Sequence, residues 1–184
     1  MSRDTYTITI GGLSRTLPLF EVAPGLRIAV LNILGDTELT EVSAAELAKK
    51  LSAVDYDTLV TAEAKSIPLI YALSVATARP YVVLRKSYKP YMGDTISAET
   101  LSITTGKPQT LYLDEKDRPL LDGRRVILVD DVISTGSTLN GMKVVMDKAN
   151  AQVVAHAAIC TEGDDASEWQ DVIALVHLPL FRAG

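Results

Sequence analysis

One cysteine, two histidines, two phenylalanines and one tryptophan are all that the 184 residues contain of those types. Cys160 alone cannot form an internal disulfide, which fits a reducing compartment. Two histidines and one cysteine without ligand spacing argue against a zinc site. No apolar run reaches membrane-spanning length. The opening MSRDTYTITIGG lacks the apolar core and small-residue cleavage site of a secretory leader. A positive balance is missing too: the formal net charge is −5, with an isoelectric point near 5.0. Such a chain is a poor general binder of nucleic acid, although a local basic pocket stays compatible with it. The pattern GxxxxGK[ST] is absent, which removes support for a P-loop nucleotidase. These absences lead us to expect a cytoplasmic chain whose partners are neither nucleic acid nor membrane.

What is present suits one globular domain over residues 1–184: 47% of residues are hydrophobic and 22% charged, with no repeat, linker or low-complexity tract. TYTITI alternates polar and apolar residues and meets Gly11-Gly12, a hairpin signal with LSRTLPLFEV as return strand and Pro24-Gly25 as its end. LRIAVLNIL is a further apolar run. Ser43-Ala44-Ala45-Glu46 has capping-box spacing, with Ala44, Leu47, Ala48 and Leu51 on one helical face. From Thr58 the order reads strand, helix, strand, insert, strand, helix, strand, strand. The helix over 66–78 is apolar all round and so expected to be buried, with Pro68 in its first turn. Continuous apolar strands alternating with helices predict an α/β fold, an open and mostly parallel sheet flanked by helices. The insert from Lys86 to about 110 is long, as active-site lids often are, and could pair as a hairpin around Thr105 to Pro108.

The stretch RVILVDDVISTGSTL concentrates the chemistry. Ligands of open α/β sheets sit beyond the carboxyl ends of the strands, where RVILV delivers Asp130 and Asp131. Adjacent carboxylates repel unless a hydrogen-bond donor such as a ribose diol, or a Mg2+ ion, compensates them. The loop Ser134-Thr135-Gly136-Ser137-Thr138 then opens a helix, whose free N–H groups and dipole favour an anion. Gly136 lets the backbone close around a phosphate. Carboxylates for sugar hydroxyls beside a phosphate cradle describe a pentose phosphate site. Solvated aspartates followed by an ordinary Ser/Thr cap would explain either half alone; the two in sequence favour the site.

VILVDDVISTGST resembles the thirteen-residue phosphoribosyl pyrophosphate signature of type I phosphoribosyltransferases. The likeness runs from about Asp57 to the C-terminus and is nearest the purine branch, adenine phosphoribosyltransferase in particular. It implies a sheet with a small N-terminal hood over residues 1–35 and a flexible lid over 86–110. It implies transfer of the 5-phosphoribosyl group from phosphoribosyl pyrophosphate to a free purine, adenine favoured, giving a nucleoside monophosphate and pyrophosphate. Mg2+ would be bound mainly through the substrate diphosphate rather than by a protein metal site, and a homodimer is expected. By the same likeness Asp130 and Asp131 hold the ribose hydroxyls and Ser134, Thr135, Gly136, Ser137 and Thr138 the 5-phosphate. Glu63-Ala64-Lys65-Ser66 resembles the pyrophosphate loop, and Arg85-Lys86 the basic pair facing pyrophosphate, with Lys89 of the lid beside it. Leu26, Arg27, Ile28, Ile67 and Val132 fall at base-binding positions. Asp130, Asp131, Lys86 and the lid residue Glu99 are the catalytic candidates.

The chain departs from the adenine branch at four places, one of them Ile67, which follows the pyrophosphate loop where that branch often has Phe. Lys65-Ser66 stands where Arg-Gly is usual, which keeps charge but loses a bidentate fork. Ile103-Thr104-Thr105-Gly106 replaces Leu-Glu-Tyr-Gly, whose glutamate is implicated in catalysis. Leu26-Arg27-Ile28-Ala29 replaces Phe-Arg-Asp-Ile, so an aromatic stacking residue is missing; Phe20 and Phe181 are substitutes. His156, His177 and Trp169 read as structural, and Thr161–Asp165 as a solvated acidic loop. The departures keep a second reading open, a non-catalytic sensor of phosphoribosyl pyrophosphate or a nucleotide. Regulators of that kind usually add a DNA-binding domain, for which the stretch before Asp57 leaves little room.

Overall fold

A computed structural model describes residues 4–101 and 108–182, with the side chains of 100, 101 and 108 left aside. The chain opens with β1 (Thr5–Ile10), β2 (Leu13–Ala23) and β3 (Leu26–Ala29), then α1 (Thr37–Leu51) and β4 (Thr58–Ala62). Next come α2 (Ile67–Thr77), β5 (Tyr81–Leu84), β6 (Ile96–Leu101), β7 (Pro108–Leu113), β8 (Arg125–Ile133) and α3 (Ser137–Lys148). The chain continues with β9 (Gln152–Gly163), β10 (Val172–Pro179) and β11 (Phe181–Arg182).

Five parallel strands in the order β10-β9-β8-β4-β5 form the central sheet. Its strands are apolar on both faces because helices cover both. On one face α1 and α2 pack Leu39, Leu47, Leu51, Leu69, Ile70 and Leu73 against Leu59, Ile127 and Ile159. On the other, α3 buries Leu139, Met142, Val145 and Met146 against Val60, Val126 and Leu128. A four-stranded antiparallel sheet, β1-β2-β3-β11, makes the N-terminal hood. Gly11 and Gly12 turn its first hairpin with φ of +56° and +85°, and Ile10 faces Leu13 across the turn.

Several local expectations need correction. The N-cap of α1 is Asp36, whose Oδ1 accepts from the Leu39 N–H at 3.1 Å while Arg15 grips the same carboxylate. That ion pair holds the helix start seven residues before Ser43, which is buried mid-helix. The second helix is not buried all round: Leu69, Ile70 and Leu73 face the sheet, while Tyr71 and Val75 stand out. In β8 the pairing continues past the two aspartates, with Asp130 opposite Ala158 and Ile133 opposite Thr161. Adjacent β9 is long enough to extend the ladder, so the carboxylates lie inside the last turn of strand rather than after it.

The insert does pair, as β6 with β7, Ala98 opposite Leu111. Both of those residues are buried in the α3 core, and the Lys148 ammonium donates to the Ser97 carbonyl at 2.7 Å. The stem of the hairpin is therefore fastened to α3. Residues 102–107, which include the whole Ile103-to-Gly106 segment compared above, lie outside the described residues.

Candidate active site

Three loops meet at the carboxyl ends of β4, β5 and β8. The Ser66 hydroxyl, only 1% exposed, sits between the aspartates, 2.7 Å from Asp130 Oδ1 and 3.2 Å from Asp131 Oδ1. Its single hydrogen serves one carboxylate at a time, and the hydroxyl oxygen accepts the Asp131 N–H at 2.9 Å. This engagement explains why Ser66, at the N-cap of α2, makes no side-chain cap bond. Lys65 Nζ lies 2.9 Å from Asp131 Oδ2. The two segments, some 65 residues apart in sequence, are one bonded cluster.

The pair is electrostatically uneven. Asp131 is 6% exposed and carries the Lys65 cation. Asp130 has Ser66 but no cation of its own among the described residues. Burial first, and the Asp131 charge second, push its carboxyl up from the ordinary range to about 7. A ligand that donates hydrogen bonds to these oxygens relieves that penalty.

Glu63 organises the next layer. Its carboxylate takes the Arg85 Nε at 2.6 Å and the Lys86 backbone N–H at 2.5 Å. The Arg85 backbone in turn bridges Tyr112 of β7 in both directions at 2.8 Å. The Glu63–Ala64 peptide is cis. Arg85 is thus engaged inside the protein, its guanidinium held strongly charged by Glu63 and then Tyr91. The Lys86 and Lys89 side chains stand in solvent, and Lys89 precedes a short 3-10 turn at Pro90–Met92.

The loop after β8 carries Gly136 at φ +71°, the left-handed region that favours glycine, and it opens α3 without a side-chain cap. The first intrahelical bond runs from Asn140 N to Gly136 O, so the N–H groups just before it have no helical acceptor. Thr135 and Ser137 hydroxyls lie 3.2 Å apart. The Trp169 ring backs the loop: a Cβ added at Gly136 would lie 3.4 Å from it. The indole N–H donates to the Glu162 carbonyl at 3.2 Å.

Between hood and sheet lies a cavity of about 850 Å3, walled by Phe20, Leu26, Ile28 and Leu180, by Ser134 and Thr135, and by Glu21, Glu162, Asp164 and Glu168. Of the expected base-binding residues, Leu26 and Ile28 line it. Strand alternation turns Arg27 the other way, and its guanidinium pairs with Asp4 at 2.6 Å. Ile67 starts α2 and Val132 packs into the core of the α1–α2 face; neither lines the cavity. Phe20 is there, 53% exposed, while Phe181 packs edge-on against Tyr6. Glu99 points outward from the hairpin stem, away from Ala98's buried face.

Glu162 is what the sequence reading missed. The Thr161–Asp165 segment is not uniformly solvated: Thr161 and Glu162 are buried, and β9 runs through both. Two histidine bonds seal the strand end, His177 Nδ1 to Thr161 Oγ1 at 3.0 Å and Nε2 to the Gly163 carbonyl at 3.2 Å. A neutral ring protonated on Nε2 satisfies both, so His177 is structural.

A carboxylate pair joined to a lysine loop and a bare phosphate-sized helix entrance is the arrangement that the signature implies. The phosphoribosyl transferase domain model matches residues 32–177. The chain belongs to that family. Its relatives divide by activity. The purine biosynthesis transcriptional repressor PurR of Bacillus subtilis is 29% identical over 158 residues, 85% of this chain and 55% of the repressor. A hypoxanthine/guanine phosphoribosyltransferase of Methanococcus voltae is 35% identical over 63% of this chain and 58% of its own length. Another, from Methanocella paludicola, is 33% identical over 88% of this chain and 73% of its own. The chain thus spans little more than half the length of the first two. Among solved structures, adenine phosphoribosyltransferase of Thermoanaerobacter pseudethanolicus superimposes with a TM-score of 0.70 at 22% identity, over 88% of this chain and 95% of that one. That likeness is one of fold: a type I phosphoribosyltransferase sheet with added antiparallel layers.

Proposed function

We propose that this phosphoribosyltransferase-family protein transfers the 5-phosphoribosyl group from phosphoribosyl pyrophosphate to a purine, adenine favoured, in the cytoplasm and as a homodimer. The observation that carries the reading is the Ser66 hydroxyl bonded to both Asp130 and Asp131 with Lys65 on Asp131. It makes the pyrophosphate loop and the ribose carboxylates one site. Adenine is favoured because the described lining of the hood cavity offers carboxylates and no cation; acceptors suit an amino-bearing edge better than a 6-oxo group.

In this reading the ribose diol donates to Asp130 and Asp131, which relieves the crowding of the two charges. The 5-phosphate sits on the N–H groups and hydroxyls of Ser134 to Thr138. Lys65 leaves Asp131 for the departing pyrophosphate, joined by Lys86 and Lys89, and stabilises charge that grows as the C1–oxygen bond breaks. Arg85 is a positioning residue that fixes Glu63 and hence the loop. The purine nitrogen attacks from the hood side, and no protein nucleophile takes part. Among the described residues, no group of three or more His, Cys, Asp and Glu could hold a metal. Mg2+ would be held mainly by the substrate diphosphate and would supply charge neutralisation there.

The test is pyrophosphate release with Mg2+ and phosphoribosyl pyrophosphate across adenine, hypoxanthine, guanine, xanthine, uracil and orotate. Release with one purine, falling about 10³-fold in Asp130→Asn/Asp131→Asn, is the expected result. The likeness to a repressor favours a second reading, a sensor that binds phosphoribosyl pyrophosphate or a nucleotide without turnover. Silence with every base alongside calorimetric binding of phosphoribosyl pyrophosphate would select it.

A further inference from the structure

The hood cavity holds four carboxylates, and three have an ordinary explanation. Glu21 accepts the Gly25 N–H at 2.9 Å and caps the β2–β3 turn. Asp164 pairs with Arg182 of β11 at 2.6 Å. Glu168 lies in solvent on the 3-10 turn beside Trp169. Glu162 differs on both counts. It is 9% exposed, and among the described residues nothing hydrogen-bonds its carboxyl; only its backbone carbonyl is used, by Trp169. Its carboxyl oxygens are not sealed in the core: they are not among the fully buried atoms that lack a partner, and they open onto the cavity, where no described residue meets them.

Its position narrows what it is for. β9 lies beside β8 in the sheet, so Glu162 is one strand over from the aspartates, just past the Ile133–Thr161 pair. It opens onto the same cavity as Phe20, Leu26, Ile28 and Leu180, with Ser134 and Thr135 at the phosphate end. The cation that faces it is Lys65 from the β4–α2 loop, and the titratable ring of His177 from β10 lies on its other side. Burial outweighs both and raises its carboxyl above the ordinary range. Trp169 and the paired Leu178 hold its backbone in place. An acceptor fixed by its strand, facing the cavity and without a protein partner among the described residues, at the junction of an apolar slot and the proposed ribose phosphate site, suits selective recognition of a purine N–H.

We propose that Glu162 is the base-reading residue, its carboxyl receiving an N–H of a purine seated in the hood cavity. The inference rests on the phosphoribosyl-transfer reading and adds to it the group that selects the base.

The experiment compares wild type with Glu162→Gln, which keeps the shape, and Glu162→Leu, which removes every polar atom. Calorimetry measures phosphoribosyl pyrophosphate and, separately, AMP, IMP and GMP; thermal melts check folding. The expected result is a loss of roughly 10- to 100-fold in affinity for the preferred nucleotide in Glu162→Gln. The loss is larger in Glu162→Leu, while phosphoribosyl pyrophosphate affinity stays within about 2-fold in both. The preference among the three nucleotides should narrow as well, which a merely structural role would not cause. Equal losses for phosphoribosyl pyrophosphate and nucleotide, or none for the nucleotide, overturn the assignment and leave the transfer reading standing. Failure of the wild type to bind any of these ligands sinks the transfer reading and Glu162 with it. Because binding is the readout, the result holds whether the protein turns over or only senses.

Discussion

The half of the site proposed to face phosphate is tied by short polar bonds before any ligand arrives, whereas the half proposed to face the base is an open cavity with apolar walls. Ser66, Lys65, Glu63 and Arg85 join Asp130 and Asp131 in a chain of hydrogen bonds and ion pairs, in which Asp131 Oδ2 is held by the Lys65 charge alone. In the hood cavity Phe20 is half exposed, and the Glu162 carboxyl has no hydrogen-bond partner among the described residues. The difference suggests a division of labour. In the proposed reading the first half is preorganised for the phosphoribosyl group, and rigidity there favours rate. The second is left unsatisfied so that a particular base completes it, which favours selectivity.

Breaking the rigid half should give the largest effect. Lys65→Ala removes the cation from Asp131 and from the departing pyrophosphate. We expect kcat to fall about 10²-fold, with the KM for adenine little changed. Lys65→Arg, with charge kept, should recover most of the rate. Steady-state kinetics and pyrophosphate product inhibition measure both. A loss confined to the KM for the base would mean that the two halves are not separable.

A smaller effect concerns what the charge pair costs the free protein. Folding raises the Asp130 carboxyl to about 7, so the folded state holds its proton more tightly than the unfolded chain. The sign follows: this group's contribution to stability is full below the unfolded value, near 4, and is lost as pH rises through about 7. Asp130→Asn should therefore be more stable than wild type at pH 8, by about 1–2 kcal/mol or roughly 2–8 °C in Tm. The gap should narrow as pH falls below 7 and close only near 4. Thermal melts across that range check it, and a gap that widens toward acid contradicts the account of the pair.

The division also explains what could be read from residues alone. The strand–loop–helix around Asp130 to Thr138 is contiguous, and each residue type states its chemistry locally; the same holds for Glu63 to Ser66. The parallel sheet and the hairpin at Gly11-Gly12 were legible from apolar runs and glycine pairs. The base half was not, because it is assembled from β2, β3, β9 and the segment before β11 by sheet register. A one-residue alternation turns Arg27 to Asp4 while Leu26 and Ile28 face the cavity. Burial of Glu162 depends on β9 continuing two residues past Cys160, which TEGDD with its acids and glycine did not announce. The start of α1 was missed for a similar reason: the Ser43 spacing is local, whereas Arg15, which fixes Asp36, comes from β2.

The smallest change sharpens the comparison most. Phe20 lines the cavity with its ring 53% exposed, so it contributes little to the core and its truncation should leave Tm nearly unchanged. If the hood side seats the purine, Phe20 is the aromatic surface available to stack on it, in place of the aromatic that the Leu26–Ala29 segment lacks. Stacking of that kind is worth about 0.5–1.5 kcal/mol, so Phe20→Ala should raise the KM for adenine about 2- to 10-fold. Phosphoribosyl pyrophosphate affinity should not move, and Phe20→Trp should restore the lost affinity. An unchanged KM would place the base elsewhere than against Phe20. A parallel loss of phosphoribosyl pyrophosphate affinity would show that hood and phosphate loop respond as one unit, and the division between a rigid half and a selective half would then fall.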